Sequence, residues 1–223
     1  MSFMSRTISR LAPALALALL AGCSRGDARS SGSKPATAAD TGLARFRGMV
    51  LETPLPKPDF TLTDTDGKPF SFVPGTQGYV TLLFFGYTHC PDVCPVHMAN
   101  IGAVLKQLPP DVASRVRVVF VSVDPERDTP ERIRTWLDGF HASFVGLTGT
   151  PEQVAAAQAA AKLPAALRDA PDSTTGPVSG YTVSHAAFVI AYTADGLGRV
   201  LYPFGTRQGD WAIAIPQLVE FGS

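Results

Sequence analysis

At 223 residues, with 45% hydrophobic and 17% charged side chains, the chain is large enough for one domain with a sizeable core, which excludes a miniprotein held together by disulfides. Nineteen basic residues balance nineteen acidic ones, so there is no net field to favour a nucleic-acid backbone or an anionic surface as partner.

The chain opens on MSFMSRTISRLAPALALALLAGCSRG, in which Arg6 and Arg10 precede an apolar run from Leu11 to Leu20 and then small residues. This is the pattern of a secretory signal over residues 1–22. The run is shorter than the roughly 20 apolar residues that cross a bilayer. Its end, Leu20-Ala21-Gly22-Cys23, resembles the lipobox of bacterial lipoproteins, which implies a mature N-terminus at an acylated Cys23. The protein is then expected in the cell envelope, facing the periplasm and held to a membrane by lipid on Cys23. Residues 23–50 are rich in Ser, Gly and Ala and read as a flexible tether, leaving residues 51–223 as the domain. Spending Cys23 on lipid leaves Cys90 and Cys94 as an isolated pair in an oxidising compartment.

From Pro54 onward short apolar runs alternate with longer helical ones. PDFTLTDTDGKPFSFV predicts a hairpin turning at Asp66 and Gly67, and YVTLLFFGY, apolar nearly throughout, predicts a strand covered on both faces. A helix follows from about Pro95 to Leu108, then a second buried strand, RVRVVFVSV. DTPERIRTWLDGFH carries a helix start: Asp128 or Thr129 can cap, Pro130 suits the first turn, and Glu131 stands three residues after Asp128 as in a capping box. FVGLTG reads as a short strand, Pro151 to Leu163 as an alanine-rich helix, and Leu167 to Tyr181 as a polar loop. AAFVIAY and RVLYPF then form a second hairpin through Asp195 and Gly196, and Trp211 to Phe221 a closing helix. Strands interleaved with helices, with hairpins at both ends, predict an α/β sandwich with a mixed sheet.

The cysteines sit in FGYTHCPDVCPVHM, four residues apart and each followed by proline. A proline deep in a helix removes a hydrogen bond and clashes with the preceding turn, so the helix should start between Asp92 and Cys94. Cys90 then falls at a strand-to-helix turn and Cys94 in the first helical turn. There the exposed N–H groups and the positive end of the helix dipole favour thiolate, and both sulfurs are expected to be reactive. A structural disulfide between them would close a very short loop, where its entropic stabilisation is smallest.

A right-handed crossover makes the strand before Cys90 and the strand ending at Val123 parallel, so their carboxyl ends share one sheet edge. Asp124, in SVDPERDTP, lies at that edge. If AAFVIAY runs antiparallel to them, its start reaches the same edge, and His185 stands just before it. Each group also has a simpler reading: His185 as a partly buried histidine beside a strand, Asp124 as a turn cap before Pro125. His89 and His97 are expected to face solvent or supporting groups, His141 to sit at a helix end, and Met98 to be core. Two thiolates and one imidazole would suit copper or zinc, and spacing alone does not choose between them.

FGYTHCPDVCP, SVDPERDTP and YTVSHAAF, in this order behind a membrane anchor, resemble the Sco/SenC copper chaperones. The resemblance runs from about Pro54 to Phe221 and implies a thioredoxin-like sandwich with a mixed central sheet, flanking helices and an N-terminal hairpin. It further implies that Cys90, Cys94 and His185 bind copper, as Cu(I) or Cu(II), with Asp124 supporting the site. Delivery to the dinuclear copper site of cytochrome c oxidase subunit II is the implied function, a transfer that needs no turnover chemistry. Many relatives carry an aspartate directly before the histidine, where this chain has Ser184. The alternative is a periplasmic thiol–disulfide oxidoreductase that uses Cys90 and Cys94 as a redox couple to reduce the cysteines of the copper site. Such enzymes usually carry CxxC, with a proline ahead of the facing strand, where this chain has CxxxC and His185. A monomer is expected.

Overall fold

The computed structural model describes residues 43–169 and 181–221. The signal segment, Cys23, most of the expected tether and the middle of the polar loop lie outside the described residues.

The described chain begins with one turn of 3-10 helix, Leu43–Phe46. Phe46 is buried, its carbonyl accepts a hydrogen bond from the Tyr202 hydroxyl at 2.8 Å, and its ring meets Phe221 edge-on at 5.6 Å. Strand β1, Met49–Pro56, follows at once. The last residues of the expected tether, 43–50, therefore carry regular structure, with Phe46 anchored on the body. One aromatic anchor in a polar stretch leaves no periodic signal. β1 itself is a half-exposed edge strand with Pro54 and Pro56 and an irregular register, so it lacks the alternation that marks strands in sequence.

Strands β2, Thr61–Asp64, and β3, Pro69–Ser71, form the expected N-terminal hairpin. The Asp64 carboxylate accepts the N–H groups of Asp66 and Lys68 at 2.9 and 2.8 Å, and Gly67 takes the left-handed φ of 77° that closes the turn. The next residues, read as strand, instead make a one-turn helix α1, Phe72–Gly75.

Strand β4, Val80–Gly86, is buried at every residue and leads through the cysteine loop into helix α2, Val93–Gln107. After the short helix α3, Pro110–Ala113, come β5, Val116–Ser122, α4, Pro130–Asp138, and β6, Val145–Thr148. Helix α5, Pro151–Ala160, starts with a full capping box between Thr150 and Gln153. It stops short of Leu163 because Lys162 turns left-handed at φ 61°. Two short strands pair antiparallel: β7, Leu167–Arg168, at the start of the stretch read as loop, and β8, Val183–Ser184, just past its end. Strands β9, Phe188–Tyr192, and β10, Leu197–Pro203, then form the second hairpin, and α6, Gln208–Phe221, closes the chain.

Among the described residues eight strands make one mixed sheet, in the order β1-β10-β9-β4-β5-β6-β2-β3. β4, β5 and β6 are parallel, while β9 runs antiparallel to β4 with Leu83 opposite Ile190. This is the expected thioredoxin-like α/β sandwich. The carboxyl ends of β4 and β5, stitched by a hydrogen bond from the Val123 N–H to the Gly86 carbonyl at 2.8 Å, share an edge with the start of β9. The three sequence motifs meet there.

Candidate metal centre

Gly86, the last residue of β4, makes room for the site. A Cβ at this position would stand 2.9 Å from Cys94 Sγ and 2.8 Å from the Phe84 ring, closer than side chains pack. The loop from Tyr87 then crosses to Asp92, whose carboxylate accepts the Val93 N–H at 2.6 Å as the N-cap of α2. Pro95 sits in the first turn, as its chemistry requires. Cys94 is fully buried at this helix start and Cys90 lies nearer the surface, 9% exposed. The backbone N–H of Cys94 points at Cys90 Sγ from 3.4 Å.

The two sulfurs are not equivalent, contrary to the expectation that both are reactive. A hydrogen bond from the Cys94 thiol, with further ones from the backbone at Cys94 and Asp92, outweighs burial and pulls the Cys90 pKa down to about 4. Burial, reinforced by the adjacent Cys90 thiolate, pushes Cys94 far above the ordinary thiol range. One proton is thus retained by the pair, on Cys94. The cysteines are free rather than joined.

His185 follows β8 and presents Nε2 to Cys94 Sγ at 3.7 Å. Its Nδ1 lies 3.1 Å from the Ala186 carbonyl, which can only accept, so Nδ1 carries the proton and Nε2 offers a lone pair toward the sulfurs. Phe84 and Tyr87 hold the ring edge-on at 5.8 Å each. One donor atom from each of Cys90, Cys94 and His185 falls within 4.8 Å of the other two. Two soft sulfurs and an imidazole nitrogen, converging from a loop, a helix start and a strand entry, can hold a soft ion between them.

Asp124 is 2% exposed and belongs to the next layer. Its carboxylate accepts from Arg127 Nε and, at 2.6 Å, from the hydroxyl of Tyr181. Of the two residues that could cap α4, Asp128 and Thr129, Asp128 is engaged elsewhere. Thr129 is the cap, its hydroxyl accepting the Arg132 N–H at 3.3 Å. The buried Asp128 carboxylate turns back to accept from the Thr88 N–H at 2.9 Å, the Thr88 hydroxyl at 2.5 Å and the Ser122 hydroxyl at 2.7 Å. It ties the cysteine loop to the end of β5. Its position two residues before a helix-opening proline made a cap the simpler reading, and nothing in the sequence pointed to Thr88. His89, Asp124 and Asp128 also lie within mutual reach, but both carboxylates are already taken up by Arg127, Tyr181, Thr88 and Ser122.

His97 does not face solvent. It is 1% exposed, tilted against Phe84 at 5.1 Å, and burial lowers its pKa, offset in part by a bond to the Ala187 backbone. His89 is exposed, and Met98 is core.

The fold and site define a thioredoxin-like domain with a dithiol–imidazole cluster at one sheet edge. The SCO1/SenC family model matches residues 51–220, and the chain belongs to this family. A Stutzerimonas stutzeri relative, named as a candidate copper-binding protein, is 32% identical over 164 residues, 73% of this chain and 77% of that one. Apo Sco1 of Thermus thermophilus is 35% identical with a TM-score of 0.67, covering 78% of this chain and 97% of that one. Copper-bound ScoI of Bradyrhizobium japonicum is 32% identical with a TM-score of 0.60, covering 74% of this chain and 99% of that one. Mitochondrial relatives match over 43 or 44% of this chain and 28 to 38% of their own length.

Proposed function

We propose that this protein is a copper metallochaperone that binds one copper ion through Cys90, Cys94 and His185 and passes it to the dinuclear copper site of cytochrome c oxidase. The observation that carries this reading is the convergence of two sulfurs and one imidazole nitrogen within 4.8 Å at the sheet edge. The copper-bound relative from Bradyrhizobium japonicum supports copper as the cargo. Three ligands leave room for an incoming thiolate from a recipient, so the ion can be exchanged without being released to water. Acylation of Cys23 would keep the domain near membrane-embedded recipients.

The test is an anaerobic Cu(I) titration of the reduced full-length protein against a chromogenic chelator. One tightly held copper per chain supports the proposal, and the absence of a tight site rejects it.

The unequal thiols favour one further reading, a dithiol reductant of the recipient's copper-site cysteines. The Cys90 thiolate would attack the partner disulfide and expel one partner thiolate. Deprotonated Cys94 would then displace the other, oxidising this pair to a disulfide as the partner becomes a dithiol. A Cys94→Ser variant should trap the mixed disulfide, and its failure to form adducts with oxidised recipient would reject this activity.

A further inference from the structure

The two cysteines are fixed by the core: Cys94 is fully buried under β4 and α2. Phe84 and Tyr87 flank the His185 ring, but the backbone that carries it lies outside the eight-stranded sheet. It rides on residues 181–185, where Val183 is buried, Tyr181 packs partly against the core, Ser184 is exposed, and the partner strand β7 exposes 67% of Leu167. The side-chain bonds that fasten this arm are polar. At its foot, the Thr182 and Ser184 hydroxyls both donate to Asp169, at 2.7 and 2.9 Å. At its head, Tyr181 is gripped on three sides. Its hydroxyl donates to Asp124, the Arg127 guanidinium lies 3.8 Å from the ring centroid on one side, and that of Arg168 lies 3.9 Å away. Arg127 also donates to Asp124, and Arg168 pairs with Glu126 at 2.5 Å. The clamp therefore joins the His185 arm to the loop that leaves β5.

We propose that Tyr181 is the positioning residue for His185, clamping the arm that carries the third ligand onto the Asp124 loop and thereby setting how firmly copper is held. This rests on the reading of Cys90, Cys94 and His185 as copper ligands. A hydroxyl bonded to a carboxylate and a ring between two guanidinium groups are among the stronger polar contacts available at a protein surface. Both act on the arm and neither touches the cysteines. Loosening the clamp frees His185 while the dithiolate remains in place, and a departing ion would leave by losing its imidazole first. The Asp124 carboxylate then serves copper from a distance, through Tyr181 and the backbone of the arm.

The experiment compares Cu(I) affinity, by chelator competition on the reduced full-length protein, for four forms: wild type, Tyr181→Phe, His185→Ala and the double variant. Tyr181→Phe keeps the ring and removes the hydroxyl. The expected result is a loss of about tenfold in Tyr181→Phe, as for other residues that orient a metal ligand, with metal-free Tm near wild type. In the double variant the affinity should equal that of His185→Ala alone, because Tyr181 acts only through His185. Should Tyr181→Phe fold poorly, Arg168→Gln, half-exposed on the outer side of the ring, gives the same comparison with a loss of about fivefold. A wild type that holds no copper overturns the metal-site reading and the clamp with it. Tight wild-type binding beside an unchanged Tyr181→Phe, or an equal loss with and without His185, overturns the clamp alone.

Discussion

Nε2 of His185 stands 3.7 Å from Sγ of Cys94, although 91 residues separate them in the chain. Cys94 stands in the helix that follows β4 and His185 three residues before β9, and β9 and β4 pair directly, so the contact is a product of the sheet register rather than of local sequence. His185→Ala removes the one nitrogen donor in the cluster and should weaken Cu(I) binding by at least two orders of magnitude. Chelator competition measures it, and unchanged affinity would remove His185 from the site.

The unequal thiols give a second prediction, for the metal-free protein. With its pKa lowered to about 4, Cys90 is thiolate from pH 5 upward, so its alkylation by iodoacetamide should be nearly flat between pH 5 and 8 and fall only below about 4. Cys94, raised and buried, should stay protected across that range. Mass spectrometry of the labelled peptide distinguishes the sites, and comparable labelling of both cysteines at pH 6 would contradict the assignment. The same asymmetry predicts that copper uptake at pH 7 releases about one proton per ion rather than two, readable by pH-stat titration.

Gly86 tests the packing beneath the site. An alanine methyl would press on Cys94 Sγ, Phe84 and Phe120, each within 2.9 Å, and Phe84 and Phe120 are themselves fully buried. Gly86→Ala should cost about 1–3 kcal/mol of stability and weaken copper binding at least tenfold by displacing the sulfur. Thermal unfolding and chelator competition read the two effects. A stable variant with full affinity would show that the β4 end can shift to accommodate the methyl.

What the sequence disclosed follows from where its signals are local. Pro95 limited how far upstream α2 could begin, the uninterrupted apolar run 79–87 marked a strand covered on both faces, and the turn at Gly67 needed only its own residues. Strand direction brought His185 to the edge of the cysteines once AAFVIAY was taken as antiparallel, which is the pairing the structure has. The missing pieces are those whose partners are remote. Phe46 looks like tether until Tyr202 and Phe221 are placed beside it. Whether His97 faced solvent or the site's supporting groups stayed open because its burial depends on Phe84 and Phe204, outside its own helix. Tyr181 ended a polar loop, and only folding sets it between Arg127 and Arg168.

Asp128 is the strongest case of such a remote partner, and it supplies the last prediction. Its carboxylate accepts three protein hydrogen bonds while fully enclosed, two of them from Thr88, two residues ahead of Cys90. Asp128→Asn keeps the shape but turns an amide N–H toward a group that already donates, leaving at least one buried donor without an acceptor. The loss should be about 2–3 kcal/mol, the range for a buried hydrogen bond to a charged group. It should fall on the cysteine loop first, because the other end of the network, Ser122, is anchored within β5. Amide hydrogen exchange at Thr88 and Cys90 should therefore accelerate more than exchange along β5, while His185 keeps its place beside Cys94. An equal acceleration in loop and strand would mean that Asp128 stabilises the sheet as a whole and does not specifically hold the cysteine loop.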